Sequence, residues 1–351
     1  MEIGLFPAWT TPLGVMIGAA IGSFLNVVIY RLPLGMALSR PRHSFCPSCQ
    51  HQLTGPDLIP LFSWLFLRGR CRHCQARVPS RYFVVELMTG AHFGILWHQH
   101  LVERGDPALA IAYAFFGAAL IAAIFTDLRW LIIPDQINAA MFGIGVALNL
   151  VLIAQGRPEA WAWGIPSSLA GALAGIGVLW GIAFLGRLLF GKDAMGHGDI
   201  KMARGIGAVL GPTLALLSFG LAILLGAVFG VLLIFVRRAL EARRSRSGSD
   251  SAADPELEEE PYEPETLGSL VVCGFGYLLL IDIWGLFFPR LYERWFGENP
   301  YATESLDDEL EVEPTMIPFG PYLAMGALVA CLMPAVLLGL LQQYVRTMIG
   351  E

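Results

Sequence analysis

The sequence predicts an all-α polytopic membrane protein with about eight transmembrane helices and one small, cysteine-containing polar loop. Of its 351 residues, 55% are hydrophobic and only 15% are charged, whereas soluble domains carry nearer a quarter charged residues. Several apolar runs reach the roughly 20 residues that a helix needs to cross a bilayer. These runs are continuous and lack the alternating pattern of outer-membrane strands, so helices are expected.

The first apolar run, residues 11–30, is predicted to be a retained transmembrane helix and not a signal peptide. No basic residue precedes it, and no small-residue cleavage site follows it. Asn26 is polar within this run, and its expected role is a hydrogen bond to another helix. Small residues form a face suited to close helix packing: Gly14, Gly18, Ala19, Ala20, Gly22 and Ser23.

Residues 31–81 form a polar loop that is rich in arginine. Asp57 is its one acidic residue, against eight arginines. The positive-inside rule places such a loop in the cytoplasm, which puts the N-terminus on the outer side of the membrane.

Two C-x-x-C motifs stand in this loop, one containing Cys46 and Cys49 and the other Cys71 and Cys74. Two such motifs about twenty residues apart are typical of a four-thiolate zinc ribbon, in which each supplies two ligands on a tight turn. A pair of disulfides or a redox motif is the alternative, and a cytoplasmic location disfavours both. The zinc is predicted to be structural, because four protein ligands leave no open position. His43 and His73 are expected not to be ligands.

The later apolar runs alternate across the membrane. Glu86 stands near the start of the second run, and an ion pair with the basic loop is its expected role. The run 202–236 is too long for one span, and Gly211-Pro212 predicts a break into two. The other predicted spans are residues 82–101, 108–126, 136–155, 166–190 and 317–341.

Counting these spans places Asp127 and Asp199 at helix ends on the same, cytoplasmic face of the membrane. Charged residues near a bilayer are costly and are therefore candidates for function. Two carboxylates aimed at one point form an aspartic-protease dyad, in which the ionised group activates water and the protonated group polarises the peptide carbonyl. The sequence therefore predicts peptide hydrolysis without a catalytic metal.

Structural roles for these two aspartates stay open at this point. Asp127 could cap the fourth span or pair with Arg129, and Asp199 could cap the sixth span beside a solvated Lys201. The other aspartates that compete for the second catalytic role are Asp135, Asp193 and Asp282. Asp135 follows a proline at the start of a span, which favours a helix N-cap.

The segment around Asp199 reads Gly196-His197-Gly198-Asp199, and Lys201 follows. Gly196 and Gly198 let the backbone bend and approach another chain closely. We expect these two glycines and Lys201 to support the active-site loop. The side chain of His197 is expected to point away from the dyad.

These residues and motifs resemble those of the type IV prepilin peptidases, a family of bifunctional leader peptidases and N-methyltransferases. The resemblance covers residues 14–236 and the chain from 316 onward. Six segments carry it in the family's order: 22–33, the paired C-x-x-C loop, 81–87, 127–135, 198–201 and 317–321.

The resemblance implies a GxGD-type aspartic protease whose catalytic positions are occupied by Asp127 and Asp199. Such an enzyme cuts the basic leader of prepilins and pseudopilins after a glycine, at the cytoplasmic face of the bacterial inner membrane. It then methylates the new N-terminal amine with S-adenosylmethionine. The large loop and its flanks correspond to the methyltransferase part, and the residues that bind the methyl donor are not identified. The lipid bilayer and prepilins are the implied partners, no nucleic acid is expected, and the oligomeric state is left open.

The chain departs from the family in residues 239–315, where members usually pass almost directly to the last segment. Residues 245–265 have the composition of a disordered linker, and the apolar run 267–288 is predicted to lie on or dip into the cytoplasmic side. The predicted organisation is a first span (1–30), the zinc loop (31–81), a peptidase core (82–238), this insertion (239–315) and a last span (316–351).

Two other functions fit the composition less well. A membrane scaffold whose zinc ribbon docks a secretion or pilus partner would need neither aspartate. A small-solute transporter would place charges near the midplane and show inverted repeats, and the sequence has no convincing internal repeat.

Overall fold

The protein is a bundle of twelve α-helices with one short hairpin in a computed structural model that describes residues 4–40, 43–46, 48–191, 195–246, 265–297 and 318–349. Strands β1 (Trp161–Ala162) and β2 (Ile165–Pro166) pair antiparallel. The helices are α1 (Thr11–Arg31), α2 (Phe62–Phe66), α3 (Ser80–Leu96), α4 (Pro107–Trp130), α5 (Asp135–Ala154), α6 (Ser167–Phe190), α7 (His197–Arg246), α8 (Leu267–Leu278), α9 (Ile281–Gly285), α10 (Pro289–Phe296), α11 (Gly320–Leu332) and α12 (Pro334–Ile349).

The all-helical, polytopic class is confirmed, with fewer long spans than the eight expected. Five described helices are long and apolar enough to cross a membrane, or six if the bent pair α11 and α12 forms one span. The difference has two sources. The helix α7 contains both halves of the run that was divided at Gly211-Pro212. The helix α3 has 17 residues and continues as a π-helical turn, Trp97–Glu103.

The small-residue face of α1 packs against α3 as predicted. A Cβ atom added at Gly18 would lie 2.5 Å from the Cβ of Phe93, and one at Gly22 would lie 2.7 Å from the Cα of Glu86. The Asn26 side chain donates a hydrogen bond to the carbonyl of Tyr82 at 3.1 Å. The interhelical role expected for Asn26 is therefore confirmed.

The helix α7 reverses direction at Gly211, whose φ of 70° is accessible to glycine at little cost. A Cβ atom at Gly175 would collide with Ala203, and one at Gly326 would collide with the carbonyl of Ser218. Gly171 likewise lies against Gly207, and Gly226 lies against Tyr322. The first half of α7 therefore runs antiparallel to α6, and the second half runs antiparallel to α11. The predicted break at Gly211-Pro212 is confirmed, and both ends of α7 lie at one end of the bundle.

The last apolar run bends instead of forming one straight span over 317–341. The helices α11 and α12 meet at an angle of 93°. The side chain of Gln99 donates to the carbonyl of Leu332 at 3.2 Å, where α11 ends. The described side chains of α12 are exposed or half-buried, in contrast to those of α11.

The insertion contributes three short helices, α8 to α10, that pack on the peptidase core. With 12 residues, α8 is too short for a span, and α9 and α10 follow it through tight turns. The linker predicted over 245–265 falls almost wholly outside the described residues. The domain boundaries given above stay predictions.

Candidate active site

Asp127 lies in the last turn of α4, where the helix stops. Leu131 adopts the left-handed conformation with φ 52°, and its amide donates to the Asp127 carbonyl at 2.9 Å. This termination leaves the Asp127 side chain at the end of the bundle, with 6% of its surface exposed. The nearby Arg129 guanidinium lies 4.4 Å from the centroid of the Trp130 ring.

Asp199 lies in the first turn of α7, directly after the two glycines. Its amide donates to the carbonyl of Gly196 at 3.1 Å. A Cβ atom at Gly198 would lie 3.4 Å from the Cβ of Ile133, so a larger residue at this position would press on the segment between α4 and α5. The supporting role expected for both glycines stays a prediction.

The two carboxylates converge on Gly320, at the start of α11. A Cβ atom at Gly320 would lie 3.1 Å from Oδ1 of Asp199 and would collide with Oδ2 of Asp127. The side chains therefore approach one point from two helices, within a few ångströms of each other. Convergence of two carboxylates is what a dyad that shares one proton requires, and the catalytic role of the two aspartates stays a prediction.

Lys201 is buried and ion-paired, so the solvated neighbour considered from the sequence is wrong. Only 6% of the residue is exposed, and its Nζ lies 2.8 Å from Oδ1 of Asp135. Asp135 is the first residue of α5, and the N-cap position is occupied by Pro134. The N-cap role expected for Asp135 is also wrong, because the carboxylate pairs with Lys201 across the helices.

Arg204 and Asp282 form a buried ion pair that was not foreseen. The Arg204 Nη1 lies 2.8 Å from Oδ1 of Asp282, and the side chains are each 1% exposed. Asp282 is therefore not the second catalytic acid. A signal for this pair was present in the sequence. A single cation and a single anion in two apolar runs are expected to pair, because an unpaired charge there is costly. Asp193, the other competitor, lies outside the described residues.

His197 contacts the insertion. Its Nδ1 lies 2.7 Å from the hydroxyl of Tyr277, and its Nε2 lies 2.7 Å from Oε1 of Glu265. Both partners follow the long α7 hairpin in sequence, so no local pattern could have revealed them.

The four predicted cysteine ligands form one cluster. Their sulfur atoms all lie within 4.8 Å of one another, and Sγ of Cys46 lies 3.9 Å from that of Cys74. Tetrahedral zinc with Zn–S bonds of 2.3 Å requires sulfurs about 3.8 Å apart. The donor set and its spacing therefore fit a four-thiolate zinc site. His73 stacks on His51, with ring centroids 3.6 Å apart.

Both C-x-x-C turns have the same backbone pattern. The amides of Gln50 and Gln75 donate to the carbonyls of Cys46 and Cys71 at 2.8 and 3.0 Å, and both glutamines have positive φ. Hydrogen bonds from the amides of Cys74 and His73 lower the pKa of the Cys71 thiol to about 7. These hydrogen bonds favour the thiolate form of Cys71, the form that a metal requires.

A cavity of about 280 Å³ lies between the cysteine loop and the ends of α1 and α3. Glu86 stands in its wall, 8% exposed, and accepts a hydrogen bond from the amide of Leu61 at 2.7 Å. The ion pair expected for Glu86 is thus replaced by a backbone partner. Other lining residues are Ser23, Asn26, Asp57, Trp64 and Tyr82.

Asp57 carries a stable negative charge in this loop. Burial would raise the pKa of Asp57, but hydrogen bonds from Arg72 and Thr54 outweigh it and hold the value at about 2. A carboxyl whose pKa is lowered by folding stabilises the folded protein at pH values above its usual pKa of about 3.9. That stabilisation is lost as the pH falls toward 2. The charge therefore persists at every physiological pH.

Comparison with known proteins gives two matching family models. Residues 16–100 match the bacterial peptidase A24 N-terminal domain, and residues 114–231 match the type IV leader peptidase family. A prepilin leader peptidase/N-methyltransferase of Aeromonas salmonicida is 36% identical over 248 residues, which cover 62% of this chain and 79% of the relative. The chain belongs to the type IV leader peptidase family.

Other members of the type IV leader peptidase family match over more of the chain. The prepilin leader peptidase/N-methyltransferase of Neisseria gonorrhoeae is 28% identical over 70% of this chain and 89% of its own length. That of Myxococcus xanthus is 31% identical over 95% of this chain and 93% of its own length. The Myxococcus match therefore runs through residues 239–315. No solved structure matches the chain significantly.

Proposed function

We propose that the protein cleaves the basic leader of prepilins or pseudopilins with Asp127 and Asp199 and then methylates the new N-terminal amine. The observation that carries the peptidase part is the convergence of both carboxylates on Gly320. The family and its relatives' names supply the substrate class and the second reaction.

The dyad acts as an acid–base pair on one water molecule. The ionised carboxylate accepts a proton from water, whose oxygen attacks the peptide carbonyl carbon, and the protonated partner donates its proton to the carbonyl oxygen. When the tetrahedral intermediate collapses, the carbon–nitrogen bond breaks and the leaving amine takes a proton from the dyad. Asp199 is half-buried and Asp127 is buried, so Asp199 is proposed to be the carboxylate that water and substrate meet first.

The cavity beside the cysteine loop is the proposed site for S-adenosylmethionine. Its volume is close to the lower limit for pockets that bind molecules of this size, and the aromatic residues Trp64 and Tyr82 line it, as a site for an adenine base would require. The Glu86 and Asp57 carboxylates would hold the cationic and hydroxyl groups of the donor. The bound cofactor supplies an electrophilic methyl group, and these residues orient it.

The four cysteines are proposed to bind one structural zinc ion. The metal would fold the loop and thereby form the cavity wall, since Cys46 and Cys71 both line the cavity. The arginine-rich composition of the loop supports a cytoplasmic location for it in the bacterial inner membrane. The active site would then face the cytoplasm, where leader sequences are accessible.

The test uses the full chain in lipid vesicles with a synthetic prepilin peptide. Asp127→Asn and Asp199→Asn should each abolish cleavage, because an amide can neither accept the proton from water nor share one. Methylation of an already processed pilin peptide should continue in both variants, which shows that the protein is folded. Mass spectrometry of the peptide products reads both reactions.

Asp57→Asn is the matched control, since it changes an aspartate in the cysteine loop and should leave cleavage intact. If either dyad variant cleaves at the normal rate, the dyad assignment is overturned. If the unaltered chain neither cleaves nor methylates but still supports pilus assembly in cells, the scaffold function replaces the enzymatic one.

A further inference from the structure

We propose that the insertion positions the catalytic helix: through Asp282 and Tyr292 it holds the face of α7 opposite Asp199 and so keeps Asp199 against Asp127 and Gly320. This inference rests on the proposed function of the dyad. It assigns a role in peptide cleavage to α8–α10, which lie outside both segments matched by the family models.

The residues of α7 that the insertion contacts form one stripe along the helix. His197, Lys201 and Arg204 stand at positions i, i+4 and i+7, which share a helix face. Asp199 lies on another face, since a helix turns about 100° per residue and places Lys201 and Arg204 about 160° and 140° away from it. Contacts on this stripe therefore hold α7 on the side opposite to Asp199.

The deepest contact is the Arg204–Asp282 pair. Arg204 is fully buried, and its described hydrogen-bond partners come from the insertion: both carboxylate oxygens of Asp282, and the carbonyl of Tyr277 at 3.0 Å. Its guanidinium also lies 5.4 Å from the centroid of the Phe142 ring in α5. A two-pronged guanidinium–carboxylate pair fixes direction as well as distance. The third turn of α7 is therefore held in one orientation by a residue of α9.

A second contact lies one turn nearer the dyad. The hydroxyl of Tyr292 lies 3.4 Å from Nζ of Lys201 and 3.3 Å from Oδ2 of Asp135. Tyr292 is itself 8% exposed. The insertion thus completes an ion pair that joins α7 to α5, the helix that follows the Asp127 turn.

The third contact lies at the first turn, where His197 bonds to Tyr277 and Glu265 at 2.7 Å each. Three successive turns of α7 are thus bonded to residues 265–292 of the insertion. Asp199 lies within this tied stretch, between the first and second contacts. A shift of about 1 Å in a catalytic group can lower a rate by about a hundredfold, so the rate of cleavage is the property that this arrangement controls.

The experiment compares Asp282→Asn and Tyr292→Phe with the unaltered chain in lipid vesicles. For Asp282→Asn we expect kcat for prepilin cleavage to fall by about tenfold or more, with KM changed less than about twofold. Tyr292→Phe removes only the hydroxyl and should lower kcat by about threefold. Methylation of a processed pilin peptide, which uses the other part of the chain, should be unchanged in both.

Glu293→Gln is the matched control, because Glu293 is an exposed acid of α10 and should leave both reactions unchanged. Unchanged kcat in Asp282→Asn overturns the inference, and so does an equal loss of cleavage and methylation, which would mark the pair as needed for folding alone. Asp199→Asn in the same assay separates the two ideas: if it cleaves, the dyad itself is wrong.

Discussion

At the scale of the residue, Gly320 is as informative as the two aspartates. A Cβ atom at this position would stand where the carboxylates approach each other, so the missing side chain leaves the space that they occupy. Gly320 follows Phe319 at the start of α11, so the helix begins directly at the dyad. The site thus combines two acids with one position at which no side chain fits.

Gly320→Ala should therefore reduce prepilin cleavage by about a hundredfold, since the added methyl group displaces both carboxylates. Insertion in the membrane and methylation of a processed peptide should continue. Gly339→Ala is the matched control, because a Cβ atom there meets nothing within 4 Å. Normal cleavage by Gly320→Ala would show that catalysis does not depend on the two carboxylates meeting beside Gly320.

At the scale of the element, the helices are joined by glycine contacts that leave little room for change. A Cβ atom at Gly171 of α6 would collide with the carbonyl of Gly207 in α7, and one at Gly207 would collide with the carbonyl of Gly171. Small residues of this kind let helix backbones approach closely in a membrane. The contact fixes the distance between α6 and the helix that carries Asp199.

Gly171→Ala should separate these helices and lower the free energy of unfolding by roughly the 1–3 kcal/mol that overpacking costs. The melting temperature of the purified protein should fall accordingly. Gly177→Ala in the same helix meets nothing within 4 Å and should be neutral or slightly stabilising, since alanine favours helices by about 1 kcal/mol over glycine. Thermal unfolding followed by circular dichroism measures both. Equal melting temperatures would contradict the close packing.

The sequence predicted those elements whose signal is local. Apolar runs, the break at Gly211-Pro212, the small-residue face of α1 and the cysteine spacing each depend on neighbouring residues. It failed for the buried ion pairs, whose two members lie in distant parts of the chain. Lys201 pairs with Asp135, and Arg204 pairs with Asp282, across 66 and 78 residues. No periodicity encodes such pairs, because they depend on which helices meet.

At the scale of the whole molecule, the two proposed sites occupy different parts of the chain. The cavity is formed by α1, α3 and the cysteine loop, whereas the dyad is formed by α4, α7 and α11. The helices α1 and α3 contact α4, so the two parts form one bundle. Because the two sites are built from different elements, damage to the loop should leave the dyad in place.

Removing the metal should thus separate the two reactions. Cys71→Ser, or treatment with a strong zinc chelator, should abolish methylation because the loop and its cavity lose their fold. Cleavage should stay within about threefold of normal, since the dyad is carried by α4 and α7 and the metal ligands by the cysteine loop. Metal analysis should find one zinc per unaltered chain, and Cys273→Ser is the matched control. Loss of cleavage together with methylation would show that the loop supports both sites.

The reversal of α7 at Gly211 has a consequence for how the chain assembles. Because the helix goes out and returns, residue 246 emerges at the same end of the bundle as His197. The insertion can then fold back onto the beginning of the helix from which it was extended. During synthesis, Asp199 reaches the membrane well before Tyr277, Asp282 and Tyr292 leave the ribosome. On the positioning role proposed for the insertion, a newly made chain would therefore cleave at its full rate only after this later segment has arrived.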